Sequence, residues 1–316
     1  MEINRVPLVC FGTANFEPLY IRFAASVDER FDIQYSGIDA VISKNPGGGK
    51  GIWVHKLDLL LAALDKYASS PLVAMADIDI QFFAGHFEAF VDQAMTNDLT
   101  FQQENDNCEV NIGIIAMKPT EGVREFWRMV RRRVISSGHW DQKVVNDFIF
   151  AMALGRDFAP KDVKIGVFSR EFWNWSSGRV PNKPYCHHSN FTSDLHEKWR
   201  QLDVVDDILG NDHSFTEAKR ETFLGEWNTI TLGAAKPEKM VFLPDGNLQW
   251  DSNSFDLKWD VQPNRVVLFD ERDRRTSVLS KRYKSRHDER TLYVGIHAHF
   301  INPEFWKNPK IIAIYR

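Results

Sequence analysis

The stretch Leu72–Phe83, Leu-Val-Ala-Met-Ala-Asp-Ile-Asp-Ile-Gln-Phe-Phe, decides the fold. Its first five residues are apolar without interruption, a pattern typical of a strand that is buried on both faces of a mostly parallel sheet. Two carboxylates follow at once, Asp77 and Asp79. On an extended chain, residues i and i+2 point the same way, so we expect both side chains to face one site.

The position of this acidic pair at a strand end bears on function. Ligands of open α/β sheets bind at the carboxyl ends of strands. Two adjacent carboxylates repel each other unless a cation lies between them, so the pair is a candidate site for Mg²⁺ or Mn²⁺, with substrate phosphates completing the shell. The structural alternative is that the acids cap backbone N–H groups at a strand exit, and the residues alone leave both interpretations open.

The composition is that of a soluble globular protein with a substantial core. Of the 316 residues, 43% are hydrophobic and 26% charged, and the formal net charge is −4. No basic stripe stands out, which argues against nucleic acid as a partner. No apolar run reaches the ~18 residues of a membrane span, and no secretory signal pattern opens the chain. Three dispersed cysteines fit a reducing compartment, so we expect a cytoplasmic protein without a zinc cluster.

Strand and helix patterns alternate through the first two thirds of the chain. The spacing of Val54, Leu57, Leu61 and Leu64 predicts a helix ahead of the acidic pair. The preceding segment, Asn45–Gly51, is rich in glycine but lacks the residues of a phosphate-binding P-loop, so we interpret it as a flexible loop over the site. Strands are predicted at Val6–Phe11, Phe31–Gly37, Leu99–Gln103, Asn111–Met117, Val163–Phe168 and Tyr185–His187.

Beyond about Asp203 the pattern changes to short alternating segments separated by turn signals. This predicts a small antiparallel β module, and we place the domain boundary between residues 205 and 206. The segments Arg272–Arg275 and Lys281–Arg286 are basic and are interpreted as loops. Such loops could engage an anionic acceptor or partner, although loops are usually just solvated.

Two further features lie near predicted strand or helix ends. Asp141 and Gln142 open a helix, where Asp141 as an ordinary N-cap is the structural alternative. His187 and His188 are adjacent at a strand end. A lone histidine is more often structural than a ligand, but a pair downstream of two acids favours a metal site. Successive strand residues face opposite ways, so only one histidine could take part.

These pieces occur together in a known arrangement. The strand ending in Asp77-Ile-Asp, then Asn111-Ile-Gly-Ile-Ile, then Trp140-Asp-Gln with Asn146, then His187-His-Ser-Asn-Phe-Thr with Lys198, resemble the GT-A-fold nucleotide-diphospho-sugar glycosyltransferases of the retaining, glycogenin-like and α-galactosyltransferase-like groups. The segment Gly51-Ile-Trp-Val-His-Lys56 resembles their entry to the long helix. The resemblance covers residues 6–200, and it implies a Rossmann-like mixed α/β sheet in a catalytic domain over residues 1–205. Residues 206–316 resemble accessory β domains of bacterial glycosyltransferases more loosely.

The resemblance also implies residue roles. Asp77 and Asp79 would bind Mn²⁺ (or Mg²⁺) with His188, or with His187 as the alternative. The donor would contact Thr13, Lys56, Asp77, Asn111 and Gly113. The catalytic residues would be Gln142 beneath the anomeric carbon, Asp141 beside the donor sugar, and Lys198, which would neutralise the leaving diphosphate.

The function implied is a metal-dependent, retaining transfer of a hexose from a nucleotide sugar, UDP-galactose or UDP-glucose, to a glycan or surface-polysaccharide acceptor. One alternative is a sugar nucleotidyltransferase, whose basic glycine-rich signature is missing from Cys10–Asn15. Another is a non-catalytic carbohydrate-binding protein. The basic loops leave open a peripheral contact with a lipid-linked acceptor at a membrane.

Overall fold

The computed structural model of the chain describes residues 3–38, 48–105, 109–156, 163–215, 217–251, 256–297 and 310–316. They form two compact units. The first comprises Met1–Thr13 and Ser26–Phe191, and the second comprises Ala14–Ala25 and Thr192–Arg316. The domain boundary after residue 205 stays a prediction.

The strands and helices of both units are numbered in chain order. The strands are β1 (Val6–Thr13), β2 (Phe31–Ile38), β3 (Val73–Ala76), β4 (Ile80–Phe82), β5 (Leu99–Gln103), β6 (Val110–Met117), β7 (Ile165–Val167), β8 (Phe172–Asn174), β9 (Cys186–His188), β10 (Gly225–Thr231), β11 (Glu238–Phe242), β12 (Leu248–Trp250), β13 (Lys258–Gln262), β14 (Arg265–Phe269), β15 (Arg275–Lys284), β16 (Thr291–His297) and β17 (Lys310–Tyr315). The helices are α1 (Glu17–Ser26), α2 (Gly48–Lys66), α3 (His86–Ala94), α4 (Glu121–Ser137), α5 (Asp141–Ala153), α6 (Leu195–Leu209) and α7 (Arg220–Phe223).

A mixed six-stranded sheet lies at the centre of the first unit, in the order β2-β1-β3-β6-β5-β7. Strand β1 runs parallel to β2 and β3, whereas β6 runs antiparallel to both β3 and β5. A second sheet, β4-β9-β8, carries the segment after the acidic pair. The apolar run of β3 is fully buried, as predicted for a central strand.

Helices α2, α4 and α5 contribute to the main hydrophobic core of this unit. Leu57 and Leu64 of α2 are buried in one cluster with Met75 of β3 and with Phe126 and Trp127 of α4. The apolar stripe predicted for α2 therefore faces the sheet. Among the described helices, none is both long enough and apolar enough to cross a membrane.

The second unit contains an eight-stranded antiparallel sheet in the order β12-β11-β10-β17-β16-β15-β14-β13. One face is covered by an aromatic cluster that includes Phe223, Trp227 and Tyr293. The predicted fold class, a Rossmann-like mixed α/β sheet with a C-terminal antiparallel β module, is confirmed. Helix α6, which precedes this sheet, was not predicted.

A buried ionic cluster joins α1 to α6 within the second unit. Arg22 donates to Asp203 at 2.8 Å and to Asp206 at 2.6 Å, and its guanidinium lies 4.6 Å from the centre of the Trp199 ring. His213 Nε2 lies 3.1 Å from Asp206. Burial alone would raise the pKa of Asp206, but His213 and the charge of Arg22 lower it to about 2.

Two local predictions are wrong. Residues 45–47 of the predicted flexible loop lie outside the described residues, but Gly48–Gly51 form the first turn of α2. Tertiary packing of this helix outweighs the low helix propensity of its glycines. Most of the second basic loop, Lys281–Arg286, lies in β15, where Tyr283 is buried and its neighbours Arg282 and Lys284 are exposed.

Candidate metal and donor site

The acidic pair lies at a turn between β3 and β4. The backbone N–H of Asp77 donates to the carbonyl of Gly113 at 2.8 Å, and the carbonyl of Asp79 accepts from the backbone and hydroxyl of Ser189 at 3.0 and 2.9 Å. The predicted i, i+2 alternation along an extended strand is wrong, because Ile78 and Asp79 form the turn. The chain turns here because β3 and β4 belong to different sheets.

This turn nevertheless brings both carboxylates to one place, together with His188. One ligand atom from each of Asp77, Asp79 and His188 lies within 4.8 Å of the others. His188 Nε2 is 3.4 Å from Asp79 Oδ1. Ligands on opposite sides of one Mg²⁺ are about 4.2 Å apart, because each bond is about 2.1 Å. Two carboxylates and an imidazole at these separations could hold Mg²⁺ or Mn²⁺ after small adjustments.

The two adjacent histidines face opposite sides of β9. His188 faces the acidic pair, whereas His187 is fully buried, with its ring centre 4.7 Å from that of Trp173 and 5.9 Å from that of Trp175. Alternation along the strand therefore separates them as expected. Of the two candidates, His188 is the one that the fold brings to Asp77 and Asp79.

Gly113 makes room for the His188 ring. A Cβ at position 113 would overlap the His188 imidazole and would lie 2.8 Å from Asn111 Oδ1. A glycine inside a strand often marks close approach of a backbone or a ligand. In the structure the group that approaches Gly113 closely is the His188 ring. Contact of Gly113 with a donor stays a prediction.

Lys56 lies behind Asp77. Its ammonium donates to Asp77 Oδ1 at 2.7 Å and to the carbonyl of Ile112 at 2.9 Å, and the residue is 6% exposed. Burial alone would lower the pKa of Lys56, but the charges of Asp77, Asp141 and Asp79 raise it. The hydrogen bond from Lys56 holds the Asp77 carboxylate in place, as a second layer of residues commonly does for metal ligands.

Asp141 is a buried carboxylate at the start of α5. Burial raises its pKa to about 6, against the opposing charge of Lys56, while the charge of Asp77 acts in the same direction as burial. It does not occupy the N-cap position, which belongs to Trp140, and its Oδ1 accepts from the backbone N–H of Gln142 at 2.9 Å. The fold thus brings Asp141 into the same electrostatic cluster as Lys56 and Asp77, and Gln142 follows at the half-buried first turn.

Asn111 belongs to a buried polar network that the sequence did not predict. Its Oδ1 accepts from the backbone of Gly113 at 2.6 Å, and its Nδ2 donates to Glu104. Glu104 also accepts from Ser176 at 3.0 Å and from Asn190 at 3.4 Å. The one available signal was the position of Glu104 directly after β5, since polar groups at strand ends often border a site. Contact of Asn111 with the donor sugar stays a prediction.

The two remaining predicted residues lie in different units. Thr13 is the last residue of β1, which pairs in parallel with β3 through Leu8 and Val9. Thr13 and Asp77 therefore lie at the same end of the sheet, where the two strands have their carboxyl ends. Lys198 lies on α6 of the second unit and is 8% exposed. Its action on a leaving diphosphate stays a prediction.

The segment that carries the acidic pair and His188 also matches a protein family. Residues 71–202 match the nucleotide-diphospho-sugar transferases. The match to this family covers less than half of the chain, and it begins just before β3. This match supports the prediction of an enzyme of the glycosyltransferase class. No curated protein sequence matches the chain significantly.

Several solved structures with a similar course of the chain are described as glycosyltransferases. GlyE of Streptococcus pneumoniae TIGR4 is 11% identical over 60% of this chain, with a TM-score of 0.42, and the chain spans 55% of its length. A glycosyltransferase involved in glycosylation of the PBCV-1 major capsid is 12% identical over 63% of this chain and 99% of its own, with a TM-score of 0.44. The galactosyltransferase LgtC is 13% identical over 64% of this chain and 96% of its own, with a TM-score of 0.40.

Proposed function

We propose that the chain is a metal-dependent glycosyltransferase in which Asp77, Asp79 and His188 bind Mn²⁺ or Mg²⁺ and thereby hold a nucleotide-diphospho-sugar donor. The observation that carries the proposal is the meeting of these three side chains within 4.8 Å, inside the segment that matches the family. The donor set fits the cation, because carboxylate oxygens suit Mg²⁺ and Mn²⁺ and one imidazole nitrogen is an accepted addition.

The surroundings of the three side chains support this fit. Gly113 leaves space for the His188 ring, and Lys56 fixes Asp77 from behind. The bound cation would supply electrostatic stabilisation to the departing diphosphate. The protein would hold the diphosphate in one orientation. The side chains of the site are mostly buried, and fixed charges act more strongly there than in water.

We further propose that transfer retains the configuration at the anomeric carbon. In this proposal Gln142 lies beneath the donor sugar, where a neutral amide would stabilise developing positive charge without trapping the sugar. Asp141 would orient the sugar, Asn111 and Thr13 would contact the donor, and Lys198 would offset charge on the leaving diphosphate. A product of the same anomeric configuration as the donor, seen by proton NMR, would support retention. Full turnover by Gln142→Ala would exclude the role given to Gln142.

The donor proposed is UDP-galactose or UDP-glucose, and the acceptor a glycan or surface polysaccharide, including a lipid-linked one. We also propose a cytoplasmic location, because three dispersed cysteines fit a reducing compartment. Two other tests distinguish a glycosyltransferase from a nucleotidyltransferase and from a non-catalytic carbohydrate-binding protein. A nucleotidyltransferase would release pyrophosphate from a nucleoside triphosphate, and a carbohydrate-binding protein would bind glycans without consuming any UDP-sugar.

Binding of UDP, measured by calorimetry with Mn²⁺ and then with EDTA, tests the site directly. We expect binding only with Mn²⁺, and a loss of at least about tenfold in Asp79→Ala, because a ligand and a negative charge are removed. Asp65→Ala, an exposed carboxylate on α2, is the control and should bind as the wild type does. Equal UDP binding in EDTA, or unchanged binding by Asp79→Ala, would contradict the proposal. Hydrolysis of individual UDP-sugars would then identify the donor.

A further inference from the structure

Gln102 lies directly behind His188 in the first unit. This residue of β5 is fully buried, and its Oε1 lies 3.1 Å from His188 Nδ1. At its other end, Nε2 donates to the carbonyls of Phe172 and Trp173, both at 3.1 Å. The Gln102 side chain therefore spans from β8 to the histidine that faces the acidic pair.

The two carbonyls decide which way the Gln102 amide points. A backbone carbonyl oxygen can only accept a hydrogen bond, so the amide nitrogen, which has two hydrogens, must face Phe172 and Trp173. The amide oxygen is then left for His188. Because that oxygen can only accept, the His188 Nδ1 that faces it must carry a hydrogen.

The hydrogen on Nδ1 determines what the other ring nitrogen can do. A neutral imidazole has one N–H, so a hydrogen on Nδ1 leaves Nε2 with a lone pair. Nε2 is the atom that lies 3.4 Å from Asp79 Oδ1. The carboxylates of Asp77 and Asp79 and the imidazole of His188 then present only lone pairs to one another. Such groups repel one another unless a cation lies between them.

We propose that Gln102 is a positioning residue that keeps a hydrogen on His188 Nδ1 and so turns the Nε2 lone pair toward the carboxylates of Asp77 and Asp79. Metal-binding histidines commonly have their second nitrogen fixed by an oxygen acceptor, and this arrangement sets both the tautomer and the ring orientation. The consequence for metal affinity rests on the proposed function, whereas the tautomer does not.

The residue type follows from the two ends of the side chain. A glutamate here would place a carboxylate against two backbone carbonyls, and a leucine would offer nothing to either end. Only an amide places donors at one end and an acceptor at the other. Strand alternation completes the geometry, because Cys186 and His188 lie on the same face of β9, and Cys186 Sγ lies 3.8 Å from Gln102 Nε2.

Nitrogen-15 NMR of histidine-labelled, metal-free protein reads the tautomer directly. Spectra at pH about 8.5, about two units above the usual imidazole pKa of ~6.5, show which nitrogen is protonated. The His188 signals are assigned by their absence from His188→Gln. We expect a proton on Nδ1 in the wild type, and its transfer to Nε2 in Gln102→Leu. A bare Nδ1 in the wild type, or an unchanged Nδ1 proton in Gln102→Leu, would overturn the proposal. The wild-type spectrum decides the matter even if the variant does not fold.

Titration with Mn²⁺ alone, followed by its electron paramagnetic resonance signal, provides the second measurement. We expect Gln102→Leu to bind about 10- to 100-fold more weakly than wild type, the usual effect of losing such a partner. Gln201→Leu, which alters a buried glutamine of the second unit, is the control and should bind normally. A wild type with an Nδ1 proton but no Mn²⁺ binding would support the role of Gln102 and refute the proposed function. Mn²⁺ binding with a bare Nδ1 would do the reverse.

Discussion

Substitution of Gly113 by alanine tests whether the site depends on close packing around His188. Gly113 lies within the fully buried strand β6. Its new Cβ would overlap the His188 ring and would lie 2.8 Å from Asn111 Oδ1, a contact closer than a Cβ normally makes. His188 Nδ1, one of the two ring atoms that the Cβ would overlap, also lies 3.1 Å from Gln102 Oε1, so a displacement of the ring would disturb that hydrogen bond.

The expected cost follows from this geometry. Adding one methyl group to a tightly packed interior typically lowers the free energy of unfolding by about 1–3 kcal/mol. Displacement of the ring should also weaken Mn²⁺ binding, because Nε2 leaves the position shared with the two carboxylates. If metal binding forces the ring back to a position about 1.4 kcal/mol higher in free energy than its displaced position in the free protein, the dissociation constant rises about tenfold. We therefore expect Gly113→Ala to lose both stability and metal affinity.

Urea unfolding and Mn²⁺ titration measure the two effects, and Gly37→Ala is the matched control. Gly37 also lies in a strand, β2, but a Cβ there meets no described atom within 4 Å. Its substitution should change stability by no more than about 0.5 kcal/mol. If Gly113→Ala matched Gly37→Ala in both measurements, the packing argument for the site would be refuted.

Three further predictions concern charge and capping. Lys56→Met leaves the Asp77 carboxylate without its buried donor, and it should lower the free energy of unfolding in urea by about 2–3 kcal/mol; the exposed Lys66→Met should change it by under about 0.5 kcal/mol. The pKa of Asp206 is lowered to about 2 from its ordinary value of 3.8. The ionised form of Asp206 therefore stabilises the folded protein by about 2 kcal/mol above pH 4, and this contribution is lost as the pH falls through 2. The difference in the free energy of unfolding between wild type and Asp206→Asn should shrink by that amount on acidification. Asp194 caps α6 by accepting from the backbone N–H of Glu197 at 2.8 Å. Asp194→Ala should therefore lower the free energy of unfolding, measured by thermal unfolding, by about 1 kcal/mol.

The elements that local patterns define were predicted well. The uninterrupted apolar run of β3 and the helical spacing in α2 identify one buried strand and the helix that packs on the sheet. Strand β5 was predicted to the residue, at Leu99–Gln103. Such patterns reflect one face of one element against the core, so they can be read within a window of a few residues.

The contacts that complete the site were not predictable in that way. Gln102 and His188 are 86 positions apart in the chain, and so are Glu104 and Asn190. Their hydrogen bonds depend on the pairing of β9 with β4 and β8, which no local pattern specifies. The turn at Asp79 has the same origin, because the sheet change between β3 and β4 is visible only once both partner strands are known.

The balance of charge around Asp77 provides an independent argument for a divalent cation. The carboxylates of Asp77, Asp79 and Asp141 act on the ammonium of Lys56, and burial raises the pKa of Asp141 to about 6. In the described part of the chain, three negative groups thus act on one positive group among mostly buried residues, and an unpaired buried charge is costly. A divalent cation between Asp77 and Asp79 would add two positive charges to that of Lys56 and so match the three carboxylates. A monovalent ion would leave one carboxylate unmatched, so the balance of charge supports the divalent cation of the proposed function.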